Sequence, residues 1–430
     1  MTATLVGFAI LLILSFARVP IAFAMGIIGF AGYAFYRGVD AALSQLGQVA
    51  FATGINYELS VLPLFVLMGN LVTSARLSEE LYAASNAFLG HRRGGLAMAT
   101  VVACGGFASI CGSSLATAAT MAKVAMPSMR RYGYSDALAA GSIASGGTLG
   151  ILIPPSVIMV IYGIMTQTNI GKLFIAGILP GVVGVLFYCA AVQWVVRRDP
   201  RQGPPAERQS ARARWLALRR VSAVAGLFAL VMVGIYGGIF TPTEAAGIGA
   251  SGAFAVAIFR RQLTPRVLSA VLRESAVTTA MLFMVLIGAI LFSDFVNQAG
   301  FSEALLAVVT GLSADPWVII TAIILVYVGL GCVLESLSMV LLTVPIFFPL
   351  VQSLGFDPVW FGIVVVVVVE ISLLTPPIGL NVFVLRSVLP DVPTATIFRG
   401  VTPFFVMDLF RIALLTAFPK ISLWLPSFMR

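Results

Sequence analysis

The chain has 430 residues, 60% of them hydrophobic and only 10% charged, and its mean hydropathy is +1.03. Soluble domains carry charge on about a quarter of their residues, so this composition excludes a water-soluble globule and points to an all-α integral membrane protein. At about 20 residues per crossing, the apolar length suffices for about 11–13 membrane segments.

At the N-terminus, the apolar run from Thr4 to Ala17 has no basic stretch before it and no small-residue cleavage pattern after it, so it is expected to stay as a membrane helix. The single histidine, His91, adjoins Arg92 and Arg93 at a segment end, the position of a topological anchor rather than a catalyst. Four scattered cysteines, Cys104, Cys111, Cys189 and Cys332, form no CxxC, which argues against a zinc site, a haem site or a disulfide framework. The stretches 105–133 and 141–156 are dominated by small residues where a lipid-facing helix would carry Leu, Val and Phe. Gly105, Gly106, Ser109, Gly112, Ser113 and Ser114 can leave the helical path there. Pro154 and Pro155 remove two N–H donors, so carbonyls around Gly150–Ile153 lose their helical partners and become potential cation ligands.

Between Arg197 and Arg220 eight arginines face only Asp199 and Glu207, a local +6 out of a total of +9. This Pro/Gly-interrupted stretch reads as a connector on the cytoplasmic side, a retention loop with no partner of its own, with an anionic-lipid patch as the alternative and no nucleic acid expected. Beyond it, Val221–Phe240 leads outward to the turn TPTEAA (241–246), where Glu244 is placed to cap the following helix. The segments 329–355 and 370–381 then repeat the earlier chemistry: Gly329, Gly331, Ser336 and Ser338 supply a break, and Thr375 precedes Pro376 and Pro377.

A shift of 222 positions makes the repetition explicit. It pairs Pro20 with Pro242, Pro127 with Pro349, Pro154 with Pro376, Pro155 with Pro377 and Pro204 with Pro426, where chance would align roughly 0.5 prolines. The two halves cover about 18–198 and 240–420. With the connector cytoplasmic, the turn at 241–246 lies outside while its partner Arg18–Pro20 lies inside, and basic 91–93 pairs with acidic 313–315. These relations favour inverted repeats, the arrangement of secondary transporters with broken helices near the membrane midplane. Each half offers one hairpin tip and one interrupted helix.

PLFVLMGN (63–70), CGSSLATAATM (111–121), GGTLGILIPPS (146–156), TPTEAA (241–246) and TPPIGLN (375–381) resemble the large membrane subunit of tripartite ATP-independent periplasmic (TRAP) transporters, over nearly all of Val19–Pro403. The resemblance implies an elevator-type fold with two re-entrant hairpins, in a multi-pass subunit of the bacterial inner membrane. It further implies a separate small four-helix membrane subunit, a periplasmic substrate-binding protein, and import of an organic-acid anion driven by Na⁺. On this view 1–90 and 221–311 are scaffold helices and 91–198 and 312–420 are transport repeats. The connector then occupies 199–220 and a tail 421–430.

Carried over residue by residue, the resemblance implies one Na⁺ site at Ser109, Ser113, Gly150, Ile153 and Pro155. A second would lie at Gly331, Ser372, Thr375 and Ile378. Position 372 is usually Gly in that family, so Ser372 is expected to add bulk to the second site. Ser114, Ser336, Asn381 and Arg386 are candidate substrate contacts, and Lys123 is a further cation that could meet a carboxylate. The same shift of 222 pairs Ser109 with Gly331, Gly150 with Ser372 and Ile153 with Thr375.

Ionisable residues in apolar surroundings need a partner or a cavity. Glu370 could offset a cation's charge at the second site or serve as a hydrogen-bonded structural carboxylate. Asp408 and Arg411, at i and i+3, are expected to neutralise one another. Asp294 and Glu335 are candidate lining residues. No G-x-x-x-x-G-K-[ST] occurs around Gly171-Lys172, which disfavours an ATP-driven pump, and nothing in the sequence pairs a nucleophile with a base. The rival function is an ion-coupled anion carrier of related fold that uses no binding protein.

Overall fold

The computed structural model describes residues 2–17, 19–75, 77–311, 315–332, 334–376 and 379–429. In the first half the chain forms α1 (Thr2–Phe16), α2 (Ile21–Arg37), α3 (Val39–Ile55), α4 (Val61–Ser74), α5 (Leu77–Leu89), α6 (Gly95–Cys111), α7 (Ser114–Arg131), α8 (Asp136–Thr148), α9 (Val157–Thr166) and α10 (Ile170–Arg198). The second half forms α11 (Ala211–Tyr236), α12 (Pro242–Phe259), α13 (Pro265–Gln298), α14 (Phe301–Gly311), α15 (Pro316–Gly331), α16 (Ser336–Ser353), α17 (Pro358–Ser372), α18 (Leu380–Val388) and α19 (Thr394–Ala417). Many of these helices start where a Ser, Thr, Asn or Asp side chain accepts an otherwise unpaired N–H, as at Ser113, Ser135, Ser156, Asn169 and Asp357.

The duplication seen in the prolines extends to whole elements. Adding 222 to the bounds of α7 (114–131) gives 336–353, the bounds of α16, and α8 (136–148) maps to 358–370 within α17 (358–372). Likewise α2 maps onto α12, α9 onto α18 and α10 onto α19 to within three residues at each end. One departure lies between α3 and α4, which meet at a 61° bend where α13 is a single uninterrupted helix of 34 residues. At that bend Asn56 Oδ1 accepts the Glu58 N–H, an Asx turn that competes with helix continuation.

Among the described residues six helices are long and apolar enough to span a bilayer: α10, α11, α12, α13, α16 and α19, with the bent pair α3–α4 as a seventh. That is fewer than the expected 11–13 segments; six further apolar helices, α1, α2, α6, α9, α15 and α17, are only 10–17 residues long. The glycine, serine and proline breaks cut the apolar length into pieces shorter than the ~20 residues of a full crossing. Three of these short pieces, α6, α9 and α17, are largely interior, whereas α1, α2 and α15 bury only a minority of their residues. Every residue of α17 from Trp360 to Ser372 is buried, as is α8 from Leu138 to Thr148. By contrast Phe35, Phe51 and Phe259 on α2, α3 and α12 are 81%, 68% and 86% exposed, as lipid-facing side chains are.

Helix crossings in the interior rely on missing side chains. A Cβ on Gly400 of α19 would lie 1.9 Å from the Ala137 carbonyl of α8, and one on Gly141 would lie 2.2 Å from the Gly400 carbonyl. Such backbone-to-backbone contact is how membrane helices gain packing energy without a hydrophobic driving force. Elements of the two halves interleave: α8 packs on α19 and α7 on α18, while α2 packs on α13 and α4 on α12.

The basic connector is less open than its composition suggests. Pro200–Gln202 forms a single 3-10 turn. The Gly203 carbonyl accepts the Gly94 N–H at 2.8 Å, and the Ala206 N–H donates to the Gly90 carbonyl at 2.9 Å. Arg212, Arg214, Arg219 and Arg220 already lie in α11, whose apolar continuation draws the basic stretch into the helix. The Arg214 Nε donates to the Ala87 carbonyl. Glu244 caps α12, with Thr241 as its reciprocal partner in a capping box. Asp294 accepts from Gln45 Nε2 at 2.6 Å, which ties α3 to α13.

Candidate functional site

The first hairpin turns over two residues. Gly112, at φ 63°, ends α6 in the left-handed region that glycine tolerates, and Ser113 Oγ accepts the Ala116 N–H to start α7. Ser109 sits one turn below the tip, buried, with its hydroxyl donating to the Gly106 carbonyl at 2.7 Å. The facing interruption begins after Thr148. A 3-10 turn over Leu149–Ile151 and the Pro154–Pro155 pair lead to Ser156, whose Oγ accepts the Met159 N–H and opens α9.

Tip and interruption touch through their backbones. A Cβ on Gly112 would lie 3.0 Å from the Pro155 carbonyl oxygen, and one on Gly150 would lie 2.9 Å from the Ser113 carbonyl carbon and oxygen. Ser109 and Pro155 also line a common gap with Met68 and Phe228. Ser109, Ser113, Gly150 and Pro155 therefore converge on one place, and Ile153 lies within the same interruption, its N–H donating to the Leu149 carbonyl.

The second half repeats this with the roles of two residues exchanged. A Cβ on Gly331, the last residue of α15, would lie 2.1 Å from Ser372 Cβ at the end of α17. By the 222 shift Gly331 corresponds to Ser109 and Ser372 to Gly150, so glycine stands on the interruption in one half and on the tip in the other. The bulk expected of Ser372 is thereby taken up, because the position facing it has no side chain. Ser372 Oγ donates to the Val369 carbonyl at 2.6 Å and Thr375 Oγ1 to the Ile371 carbonyl at 2.7 Å. A hydroxyl that gives its proton to a helix carbonyl keeps its lone pairs for another donor or a cation. Ile378 lies outside the described residues.

The four candidate substrate residues are not equivalent. Ser114 is buried at the start of α7, and Ser336 is half-buried at the start of α16. Asn381 is fully buried, and its Nδ2 donates across the halves to the Ala144 carbonyl at 3.0 Å while Oδ1 has no partner among the described residues. Arg386 is placed differently: its Nη1 donates to the carbonyls of Pro390 and Val392, so it closes the turn after α18. Lys123 is exposed. Glu335 lines a cavity of about 700 Å³ between the second tip, the α1–α2 turn and α13, together with Leu334, Leu380, Pro20 and Met284.

Beside the second interruption lies a buried ionic cluster. Glu370 on α17 pairs with Arg411 on α19, which also pairs with Asp408 Oδ1 at 2.9 Å. Asp408 and Arg411 do pair as expected, but Arg411 is shared: it also holds Glu370 Oε2, while Glu370 Oε1 is buried with no hydrogen-bond partner among the described residues. Tyr188 of α10 donates to Asp408 Oδ2 at 2.7 Å and lies 3.1 Å from Thr148 Oγ1. No motif marks Tyr188 in the sequence, and Thr148 stands within GGTLGILIPPS with nothing to single it out. The available signal was a hydroxyl within the otherwise apolar run of α10, but its partner lies 220 residues away.

A family model described as "Tripartite ATP-independent periplasmic transporter, DctM component" matches residues 8–421. The C4-dicarboxylate TRAP transporter large permease protein DctM of Pseudomonas aeruginosa is 39% identical over 382 residues, covering 88% of each chain. The sialic acid TRAP large permease SiaM of Vibrio cholerae is 31% identical and covers 96% of each. The ectoine TRAP large permease TeaC of Halomonas elongata is 32% identical, covering 99% of this chain and 98% of that protein. Among solved structures, the YdaH transporter of Alcanivorax borkumensis shares the fold at a TM-score of 0.63 and 16% identity, with 90% of each chain covered. MtrF of Neisseria gonorrhoeae does so at 0.55 and 15%, with 89% and 84% covered.

Proposed function

This chain belongs to the DctM-component family of tripartite ATP-independent periplasmic transporters, and from that premise we propose that it is the permease of a Na⁺-coupled importer of a small organic-acid anion. The observation that carries the coupling is the duplicated contact between a hairpin tip and a proline-interrupted helix, at Gly112/Pro155 and Gly150/Ser113 in one half and Gly331/Ser372 in the other. Carbonyls freed by an interruption inside the protein have no water to satisfy them, and a small hard cation is the natural occupant.

In this proposal the Ser109 and Ser113 hydroxyls and the Gly150, Ile153 and Pro155 carbonyls hold one Na⁺. Gly331, Ser372, Thr375 and Ile378 hold a second. The cation closes each tip onto its interruption, and the anion binds between the tips, near Ser114, Ser336 and Asn381. The two repeats are inverted, and the part built from them moves as an elevator against α2, α4, α12 and α13. Relatives are named for C4-dicarboxylates, sialic acid and ectoine, so the class of cargo is broad. A relative named an isethionate TRAP permease protein DctMQ is longer, the match covering 58% of it. We assign this chain a separate small membrane subunit, a periplasmic binding protein and a place in the bacterial inner membrane.

The test is uptake by proteoliposomes containing both membrane subunits. Uptake is expected to require the loaded binding protein and an inward Na⁺ gradient; uptake indifferent to both refutes the proposal. Na⁺-dependent uptake without the binding protein would favour the rival carrier.

A further inference from the structure

The buried cluster beside the second interruption extends as a continuous chain to the first. Thr148 is the last residue of α8, two positions before Gly150; Glu370 lies two positions before Ser372. Between them run Thr148 Oγ1 to Tyr188 Oη at 3.1 Å, Tyr188 Oη to Asp408 Oδ2 at 2.7 Å, Asp408 Oδ1 to Arg411 Nη2 at 2.9 Å, and Arg411 Nη2 to Glu370 Oε2. All five side chains are fully buried. The Arg411 guanidinium also lies 5.6 Å from the Tyr188 ring centroid, and it is pressed against α10 where Gly184 leaves room: a Cβ there would lie 2.3 Å from Nη1.

We propose that this chain couples the two interruptions, so that ordering either one by a bound cation raises the affinity of the other. The inference rests on the sodium-coupled function given above. A shift of α17 relative to α19 would separate Glu370 from a guanidinium buried with it, and leaving a buried charge unpaired is strongly unfavourable. The end of α17 is therefore held in register with α19. Asp408 carries that register to Tyr188 on α10, and Tyr188 carries it to the end of α8. Thr148 has one proton and two acceptors, the Ser145 carbonyl at 2.8 Å and the Tyr188 hydroxyl. Tyr188 gives its own proton to Asp408, so the helix end before Gly150 is linked to the cluster when Thr148 donates to the Tyr188 oxygen and released when it donates to the Ser145 carbonyl. Four helices, α8, α10, α17 and α19, share the network, and networks of this kind exceed the sum of their pairs in a low-dielectric interior. Coupling by such an element is reciprocal.

The experiment uses the purified full-length chain in detergent, with thermal stability followed against NaCl at constant ionic strength set by choline chloride. The wild type should be stabilised steeply, with a Hill coefficient approaching two. Tyr188→Phe keeps the ring but removes the hydroxyl that joins Asp408 to Thr148. It should lower the Hill coefficient toward one and raise the half-saturating Na⁺ concentration by about 5-fold or more. Thr148→Val should behave in the same way, whereas Thr148→Ser, which keeps the hydroxyl, should restore the wild-type curve; this pair gives the readout should Tyr188→Phe fail to fold. A wild type unresponsive to Na⁺ overturns the sodium reading and this inference with it. A steep wild-type response that Tyr188→Phe and Thr148→Val leave equally steep overturns the coupling alone.

Discussion

Gly331→Ala tests whether the second tip is held in direct contact with Ser372 of its interruption. The added Cβ would lie 2.1 Å from Ser372 Cβ, 3.1 Å from its Oγ and 3.2 Å from its Cα. Carbon atoms in favourable contact sit about 3.5–4.0 Å apart, so the closest pair overlaps by well over an ångström. Neither atom is at the end of a flexible side chain, and relief requires moving α15 away from α17. Overpacking of this kind costs about 1–3 kcal/mol. Ser372→Gly removes the two closest obstacles and leaves only the Cα at 3.2 Å, a strain that a shift of a few tenths of an ångström relieves. The double variant Gly331→Ala/Ser372→Gly should therefore be more stable than Gly331→Ala alone, with a favourable coupling of about 0.5–3 kcal/mol. Denaturation of the four proteins in one detergent measures it. Additive effects, or a Gly331→Ala protein as stable as the wild type, would refute the contact.

Three further outcomes follow from other contacts. Arg411→Ala leaves Glu370 and Asp408 buried without a counter-charge and should cost about 3–5 kcal/mol, seen as loss of folded protein on size-exclusion chromatography; a normal elution profile and melting curve would argue against the cluster. Gly400→Ala meets the Ala137 carbonyl at 1.9 Å and should destabilise by about 1–3 kcal/mol or more. Gly247→Ala, with open space around it in α12, should be neutral or gain up to about 1 kcal/mol from helix propensity, so equal effects of the two would contradict the α8–α19 crossing. Finally, Arg130 at the end of α7 hydrogen-bonds Asp136 and pairs with Asp391 at 2.5 Å, and this guanidinium holds the Asp391 carboxyl below the usual carboxylate range. A carboxyl depressed in the folded state adds stability above its unfolded pKa and loses it as pH falls through the folded value. The stability gap between the wild type and Asp391→Asn should be present at neutral pH and close in acid; a gap that does not change with pH would exclude the ion pair as its source.

Most of the architecture was legible in the sequence because its signals are local. Glycine at a tip, a serine that caps the next helix and a proline pair that removes N–H donors act within a few residues, and their recurrence at a shift of 222 exposed the duplication before any helix was placed. The pairing of Ser109 with Gly331 and of Gly150 with Ser372 came from that register alone. What Ser372 would do was not legible: its bulk is harmless because Gly331 faces it, and that juxtaposition joins residues 41 apart.

Only the tertiary structure decided which polar groups meet. Arg386 turned back to the carbonyls of Pro390 and Val392, and Asn381 reached Ala144 in the other half. Glu370 went to Arg411, and Tyr188 joined that pair to Thr148. Spacing along the chain carries no record of such contacts, because they depend on how α8, α10, α17 and α19 cross. The bilayer demands apolar length and local backbone satisfaction, which composition and motif record directly. Charges taken out of water must instead find partners wherever packing brings them together, and that choice is made by the fold as a whole.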